Sequence, residues 1–125
     1  MSWQKEIDEL NKRKKLAQKL GGKEKVERQH KANRNTIRER INLFFDKDSF
    51  HEFGMLSGQS SHKDTGELEN FLPANSIIGH GLVNQQSIAF YGDDFTVRGG
   101  AADASIWEKM IAAEKLANEY EIPLV

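Results

Sequence analysis

Ser87-Ile88-Ala89-Phe90-Tyr91, followed by Gly92-Asp93-Asp94-Phe95-Thr96-Val97 and then Arg98-Gly99-Gly100-Ala101-Ala102, is the stretch that decides the fold. The apolar run reads as a strand and the paired glycines as a tight turn. Asp103 is expected to open a helix in which Ile106, Met110, Ala113, Ala117 and Tyr120 form one stripe, flanked by Trp107 and Leu116. Glu108, Lys109, Glu114, Lys115 and Glu119 are expected to face the other way. Ile122-Pro123-Leu124-Val125 resumes an apolar run, as the returning strand of a βαβ crossover does. Glycines between strand and helix let the backbone approach a ligand, and the amides of a helix start favour an anion. The stretch offers a ligand edge but no complete catalytic set.

Working outward, Ser76-Ile77-Ile78-Gly79-His80-Gly81-Leu82-Val83 is a second strand, antiparallel to the first through the polar reversal Asn84-Gln85-Gln86. Gly79 and Gly81 leave room on one face. Residues 54–75 are rich in Gly, Ser, Asp and Thr and read as a long loop, with at most a short strand near Met55-Leu56. Ser49 to Phe53 fits a short strand. Before it, Thr36-Ile37-Arg38-Glu39 matches a capping box, and Ile37, Ile41, Phe44 and Phe45 give the helix it starts an apolar face. Further upstream, Trp3, Ile7, Leu10, Ala17 and Leu20 recur at helical spacing until Gly21-Gly22 stops the helix. Residues 23–34 carry Val26 as their only large aliphatic side chain and belong on a surface or across another chain.

The 125 residues suit about one domain. With no cysteine there is no disulfide framework, thiolate nucleophile or cysteine-based zinc site. His30, His51, His62 and His80 lack metal-ligand spacing, so no metal is expected. No apolar run is long enough for a bilayer and no secretory signal opens the chain, so a cytoplasmic protein is expected, or a mitochondrial-matrix one if a presequence is missing. Charge is uneven: residues 1–40 hold 13 Lys and Arg against 6 Asp and Glu, a balance of +7, while residues 41–125 come to −8. A basic helical arm over 1–35 ahead of an acidic body admits two readings. One is a contact for nucleic acid or an acidic partner; the other is a solvated helix face.

Several segments in order resemble one family. Gly-Gly-Lys-Glu-Lys-Val-Glu-Arg-Gln-His from Gly21, Thr-Ile-Arg-Glu-Arg-Ile with Phe44-Phe45-Asp46, and Ser49-Phe50-His51-Glu52 are similar to the start of biotin-dependent acyl-CoA carboxyltransferase subunits. These include the β subunits of propionyl-CoA and methylcrotonyl-CoA carboxylases. Ile78-Gly79-His80-Gly81-Leu82-Val83-Asn84 and Asp94-Phe95-Thr96-Val97-Arg98-Gly99-Gly100 resemble the family's Gly-x-Gly hairpin and its Asp-Phe-Thr-Val-x-Gly-Gly segment. The resemblance implies an α/β, truncated crotonase-like (ClpP/crotonase) domain with an N-terminal helical arm, a β-hairpin and one βαβ crossover. Residues 36–125 would be the N-terminal portion of an acyl-CoA carboxyltransferase domain. It implies acyl-CoA as substrate, biotin on a partner carrier protein, a biotin carboxylase or biotin carboxyl carrier subunit as partner, and a homo-oligomer in the intact protein. The family transfers carboxyl from carboxybiotin to the α-carbon of an acyl-CoA, with backbone amides holding the enolate oxygen. The loop carrying the first of those amides is expected beyond Val125, so no catalytic residue is assigned and the chain by itself is expected to be inactive.

The residues assigned to acyl-CoA binding are Arg98, Gly99, Gly100 and Ala101, with Ala101 standing where the family commonly has serine. Each has an alternative. Gly99 and Gly100 fit a turn made for close strand–helix packing equally well, and Arg98 is placed either to meet CoA phosphates or to pair with Asp93 or Asp94. Lys31, Arg34 and Arg38 are further candidates for the nucleotide end of CoA, against solvated charge. Trp107 and Met110 read as core. A nucleotide-binding α/β fold fits less well, because the turn has neither three-glycine spacing nor a phosphate-loop lysine.

Overall fold

The computed structural model describes residues 1–102 and 106–125. Three helices lead the chain: α1 (Gln4–Gln18), α2 (Lys23–Lys31) and α3 (Ile37–Phe44). Strands β1 (His51–Phe53), β2 (Gly58–His62), β3 (Leu68–Pro73), β4 (Ser76–Val83) and β5 (Gln86–Asp93) follow, then a short 3-10 turn, Arg98–Gly100, and α4 (Trp107–Tyr120). β1, β4 and β5 form an antiparallel sheet in that order, and β2 pairs with β3 separately. Leu124 bridges Ala89 in parallel, with Ala89 N donating to Pro123 O and Tyr91 N to Val125 O, both at 2.9 Å. The expected crossover from β5 through a helix to a parallel neighbour is therefore present. Asp103, expected to open that helix, lies outside the described residues.

The capping box forms as read: the Glu39 amide donates to Thr36 Oγ1 and the Thr36 amide to Glu39 Oε2. It starts α3 at Ile37 and sets Ile41 and Phe45 into the main core with Leu20, Ile77 and Phe90, while Phe44 stays largely exposed. Phe45, Phe50 and Phe90 meet with ring centroids 4.9–5.8 Å apart. The room left by the strand glycines is taken by these rings. A Cβ on Gly81 would lie 2.6 Å from Phe45, and one on Gly79 would lie 2.2 Å from the His51 carbonyl. The β4–β5 reversal puts Asn84 and Gln85 at φ 49° and 66°, the left-handed pair of a type I′ turn. Gln85 stands where such turns favour glycine, and the Asp46 carboxylate accepts from the Asn84 and Gln85 amides at 3.0 and 2.8 Å.

Three expectations change. Residues 54–75 are not a loop but hold the β2–β3 hairpin, with Leu68 and Phe71 buried on β3, which packs against α1. All five residues of β2 are exposed, so no apolar alternation marked it as a strand. Helix α1 is stopped by Leu20 at φ 56°, ahead of the glycines. Gly21 is needed for approach instead: a Cβ there would lie 1.9 Å from the Thr96 carbonyl, and its amide donates to Thr96 Oγ1 at 2.8 Å. On α4, Lys109 faces inward at 5% exposure and Trp107 outward at 60%. As expected, α2 is a surface helix, with only Val26 leaning on the core.

Candidate functional site

The four residues assigned to ligand binding form one turn at the carboxyl end of β5. Arg98, Gly99 and Gly100 take φ 48°, 61° and 76°, three successive left-handed residues. That run explains the glycines, since a side chain in this region costs about 1–2 kcal/mol per residue. Among the described residues a Cβ on Gly99 would meet nothing within 4 Å, and one on Gly100 only the Phe95 ring, at 3.6 Å. Their left-handed conformation is what requires glycine here. The Gly100 amide donates to Val97 O and the Ala101 amide to Arg98 O, so the turn is closed by its own hydrogen bonds. α4 begins only at Trp107, after the turn.

Phe95 joins the turn to a groove of about 500 Å³ that opens between the start of α3 and the end of β5. Ile37, Phe90, Phe95 and Val125 give it an apolar lining, and Arg34 and Arg40 add two guanidinium groups. Tyr91 and Asp93 stand on the same wall. The Tyr91 hydroxyl donates to Asp93 Oδ1 at 2.8 Å, and desolvation, then that carboxylate, pushes the phenol up to about 12. The groove thus has an apolar body with cations beside it, suited to a ligand with an apolar part and an anionic part.

Beneath the turn lies a buried polar layer. Asp94, 2% exposed, accepts at Oδ1 from the Thr96 amide (2.9 Å) and Thr96 Oγ1 (2.7 Å). The Asp94 amide donates to the Asn75 carbonyl at 2.8 Å, and Asn75 Nδ2 donates to the Ala101 carbonyl at 2.8 Å. Next to Asn75, the Ser76 carbonyl accepts from Lys109 Nζ. Arg38 pairs in a fork with Glu52 at 2.7 and 3.3 Å, and Glu52 is 8% exposed on its side chain. Desolvation raises the Asp94 carboxyl above its ordinary 3.8, opposed by the Thr96 hydrogen bonds and by Arg38. Desolvation lowers the Lys109 ammonium below its ordinary 10.5, opposed by Glu52.

The structure therefore brings Arg98 to Ala101 together as one turn, and Arg34 to the neighbouring groove. Arg38, half-buried, is paired with Glu52. Asp93 and Asp94 diverge as adjacent residues do, toward Tyr91 and Thr96. Sequence reasoning missed Asn75, Glu52 and Lys109. For Lys109 a signal existed: it lies four and eight residues before Ala113 and Ala117, the buried positions of α4. Among the described residues no group of three or more His, Asp or Glu could hold a metal ion. Nor is any helix long and apolar enough to cross a membrane.

The chain is similar to known proteins. The chain is 34% identical over 126 residues to the propionyl-CoA carboxylase carboxyltransferase subunit of Haloferax mediterranei, which covers all of this chain and 24% of that one. It is 32% identical over 124 residues to the methylmalonyl-CoA decarboxylase subunit alpha of Propionigenium modestum, covering 97% of this chain and 23% of the relative. Transcarboxylase 12S, solved as a hexamer with methylmalonyl-coenzyme A and methylmalonic acid bound, superposes with a TM-score of 0.82 at 23% identity. That match covers 99% of this chain and 24% of the other, and it establishes the fold as the crotonase-like one expected. The chain spans about a quarter of the length of the relatives it matches. Residues 28–125 match the model of the carboxyl transferase domain, and the chain belongs to that family.

Proposed function

We propose that this chain is the acyl-CoA-binding portion of a biotin-dependent acyl-CoA carboxyltransferase, with residues 1–35 its helical arm and residues 36–125 its part of the catalytic domain. What carries the reading is the left-handed Arg98–Gly100 turn, with open space at Gly99 among the described residues, beside a groove with an apolar lining and two arginines. An acyl-CoA fits that pairing: the bare backbone accommodates the flat thioester–pantetheine chain, and guanidinium groups suit its phosphates. Biotin, borne by a partner carrier, would supply the carboxyl group. This chain's own residues bind and orient the thioester, and the groups that polarise it belong to the rest of the domain in an oligomer of several copies. Propionyl-CoA and methylmalonyl-CoA are the substrates that relatives' names suggest.

The test is a titration of coenzyme A and of propionyl-CoA into the isotope-labelled chain, followed by amide shifts. Perturbations centred on Arg98 to Ala101 and on Arg34 are expected. A Gly99→Glu substitution is expected to weaken binding by setting a carboxylate and a side chain in the open space. Perturbations confined to residues 1–31 would overturn the reading. So would tighter binding to duplex DNA than to coenzyme A, falling steeply with salt, which would favour the basic-arm module. Against that module, several arm cations already have partners in this chain: Arg13 with Glu9, Lys23 with Glu27, and Lys12 with the Leu68 carbonyl.

A further inference from the structure

Two stretches singled out in the sequence, the Gly21-Gly22 linker and the Asp94-Phe95-Thr96 run, meet through one hydroxyl. Thr96 Oγ1 donates its proton to Asp94 Oδ1 at 2.7 Å, and the Thr96 amide donates to the same oxygen at 2.9 Å. A hydroxyl has one proton to give, so with that proton committed its lone pairs are left for a donor. That donor is the Gly21 amide, at 2.8 Å. Thr96 is buried, so water does not readily replace the bond. Gly21 leads into α2, nine residues and about 13 Å long. The helix has no buried residue, and Val26 is its side chain packed against the core. Apolar packing therefore holds it weakly, and its two ends decide where it lies.

One end is the Gly21–Thr96 bond. At the other, His30 Nε2 meets the Glu39 carboxylate at 2.8 and 3.0 Å, and Glu39 is fixed in turn by the capping box of α3. Asn33, at φ 55°, closes α2: its amide donates to the His30 carbonyl at 2.8 Å and the Arg34 amide to the Gln29 carbonyl at 3.0 Å. These are the two bonds of a Schellman motif, and they make Arg34 a rigid extension of the helix. Arg34 and Gln29 line the groove. We propose that Thr96 is a positioning residue for the arm: its hydroxyl, oriented by Asp94, pins the Gly21 end of α2 and through that helix sets the Arg34 guanidinium at the groove. Thr96 thereby ties the placement of Arg34 to the loop that carries the Arg98–Gly100 turn, so that the two sides of the groove are held in register. The consequence for ligand binding rests on the reading proposed above; the placement of α2 by Thr96 does not.

The whole 125-residue chain tests this in a double-mutant cycle with coenzyme A as the probe. Thr96→Val keeps the shape and removes the hydroxyl, and is expected to weaken binding about three- to tenfold, the worth of one hydrogen bond. Thr96→Ser keeps the hydroxyl and is expected to bind as the wild type does. Arg34→Gln is expected to lose about tenfold, and adding Thr96→Val to it to cost nothing more, because the helix then has no guanidinium to place. Losses that multiply overturn the proposal, since Thr96 would then act on the turn and not through α2. The chain has no cysteine, so Lys25→Cys on α2 and Gln86→Cys on β5, both exposed, take one spin label each. The distance distribution between the labels is expected to be narrow with Thr96 or Thr96→Ser and broader in Thr96→Val; an unchanged distribution in Thr96→Val also overturns the proposal. Should Thr96→Val fail to fold, the exposed Arg34→Gln decides the matter. Coenzyme A is expected to slow hydrogen exchange at the Gly21 amide in the wild type and not in Arg34→Gln at equal occupancy, and equal slowing in both overturns the proposal. If coenzyme A fails to bind the wild type, the functional reading fails, and the label distances alone decide whether Thr96 places α2.

Discussion

At the hairpin end of the sheet, where β4 reverses into β5, the rings of Phe45, Phe50 and Phe90 pack together and close over Gly81. At the other end, where β4 begins and β5 runs out, Asn75, Asp94 and Lys109 are buried and the Arg38–Glu52 pair lies half-buried beside them, drawn from the loops, α4, α3 and β1. Apolar contact is non-directional and stabilises by area removed from water, so the first end holds the fold. Buried charges gain little net stability, but their hydrogen bonds have directions, so the second end fixes where one turn sits. Stability and positioning are thus separated along a single strand pair.

The largest effect should come from the apolar end. Phe45→Ala removes a ring that touches Phe50 and Phe90 and leaves a cavity under Gly81, with an expected loss of about 3–5 kcal/mol in a urea melt. A loss below about 1 kcal/mol would break the comparison, because a core that can dispense with this ring is not what holds the fold. Next comes Arg38→Met, which takes the paired guanidinium from the buried Glu52 carboxylate and leaves it the more distant field of Lys109. The expected cost is about 3 kcal/mol, the low end for a broken buried pair, since the guanidinium is partly exposed. Adding Glu52→Gln should recover much of it. A double variant as unstable as Arg38→Met alone would show that packing by the Arg38 stem matters more than the charge.

The pH profile sharpens the contrast from the polar end. Burial raises the folded-state value of Asp94 above 3.8, so below 3.8 the carboxyl is neutral whether folded or not and its burial carries no ionic penalty. As pH rises, the unfolded chain ionises first and binds fewer protons, so stability falls until the folded carboxyl has ionised too, and then levels off. Asp94→Asn should remove that descending step from a plot of unfolding free energy against pH. Phe45→Ala should lower the whole plot while keeping the step.

How far these two ends could be read from the sequence follows the same division. The capping box at Thr36, the glycines facing Phe45 and Phe50, the Asn84-Gln85 reversal and the crossover to Leu124 all follow from patterns of period, size and turn chemistry that act within a few residues. The turn at Arg98–Gly100 was legible as a turn, and its assignment to acyl-CoA came from family resemblance. The buried polar layer was not legible, since Asn75 sits at the end of what reads as a polar loop and Lys109 among surface charges. Their burial depends on elements far apart in sequence, such as Ser76 meeting α4. The β2–β3 hairpin was missed because a fully exposed strand carries no apolar alternation to betray it.

The smallest expected effect separates conformation from contact within the turn itself. Gly99→Ala adds a methyl that meets no atom of the described residues within 4 Å, so its expected cost is that of holding alanine at φ 61°, about 1 kcal/mol in a thermal or urea melt. Gly21→Ala makes the converse change: its Cβ would fall 1.9 Å from the Thr96 carbonyl, and the linker between α1 and α2 would have to move off the loop that carries the turn. Gly21→Ala should therefore cost more. If the bare backbone of Gly99 borders a bound acyl-CoA, Gly99→Ala should weaken coenzyme A binding by more than its small stability loss explains. A Gly99→Ala chain that binds coenzyme A as tightly as wild type, at the expected stability, would place the ligand off the turn and leave the glycine with a purely conformational role.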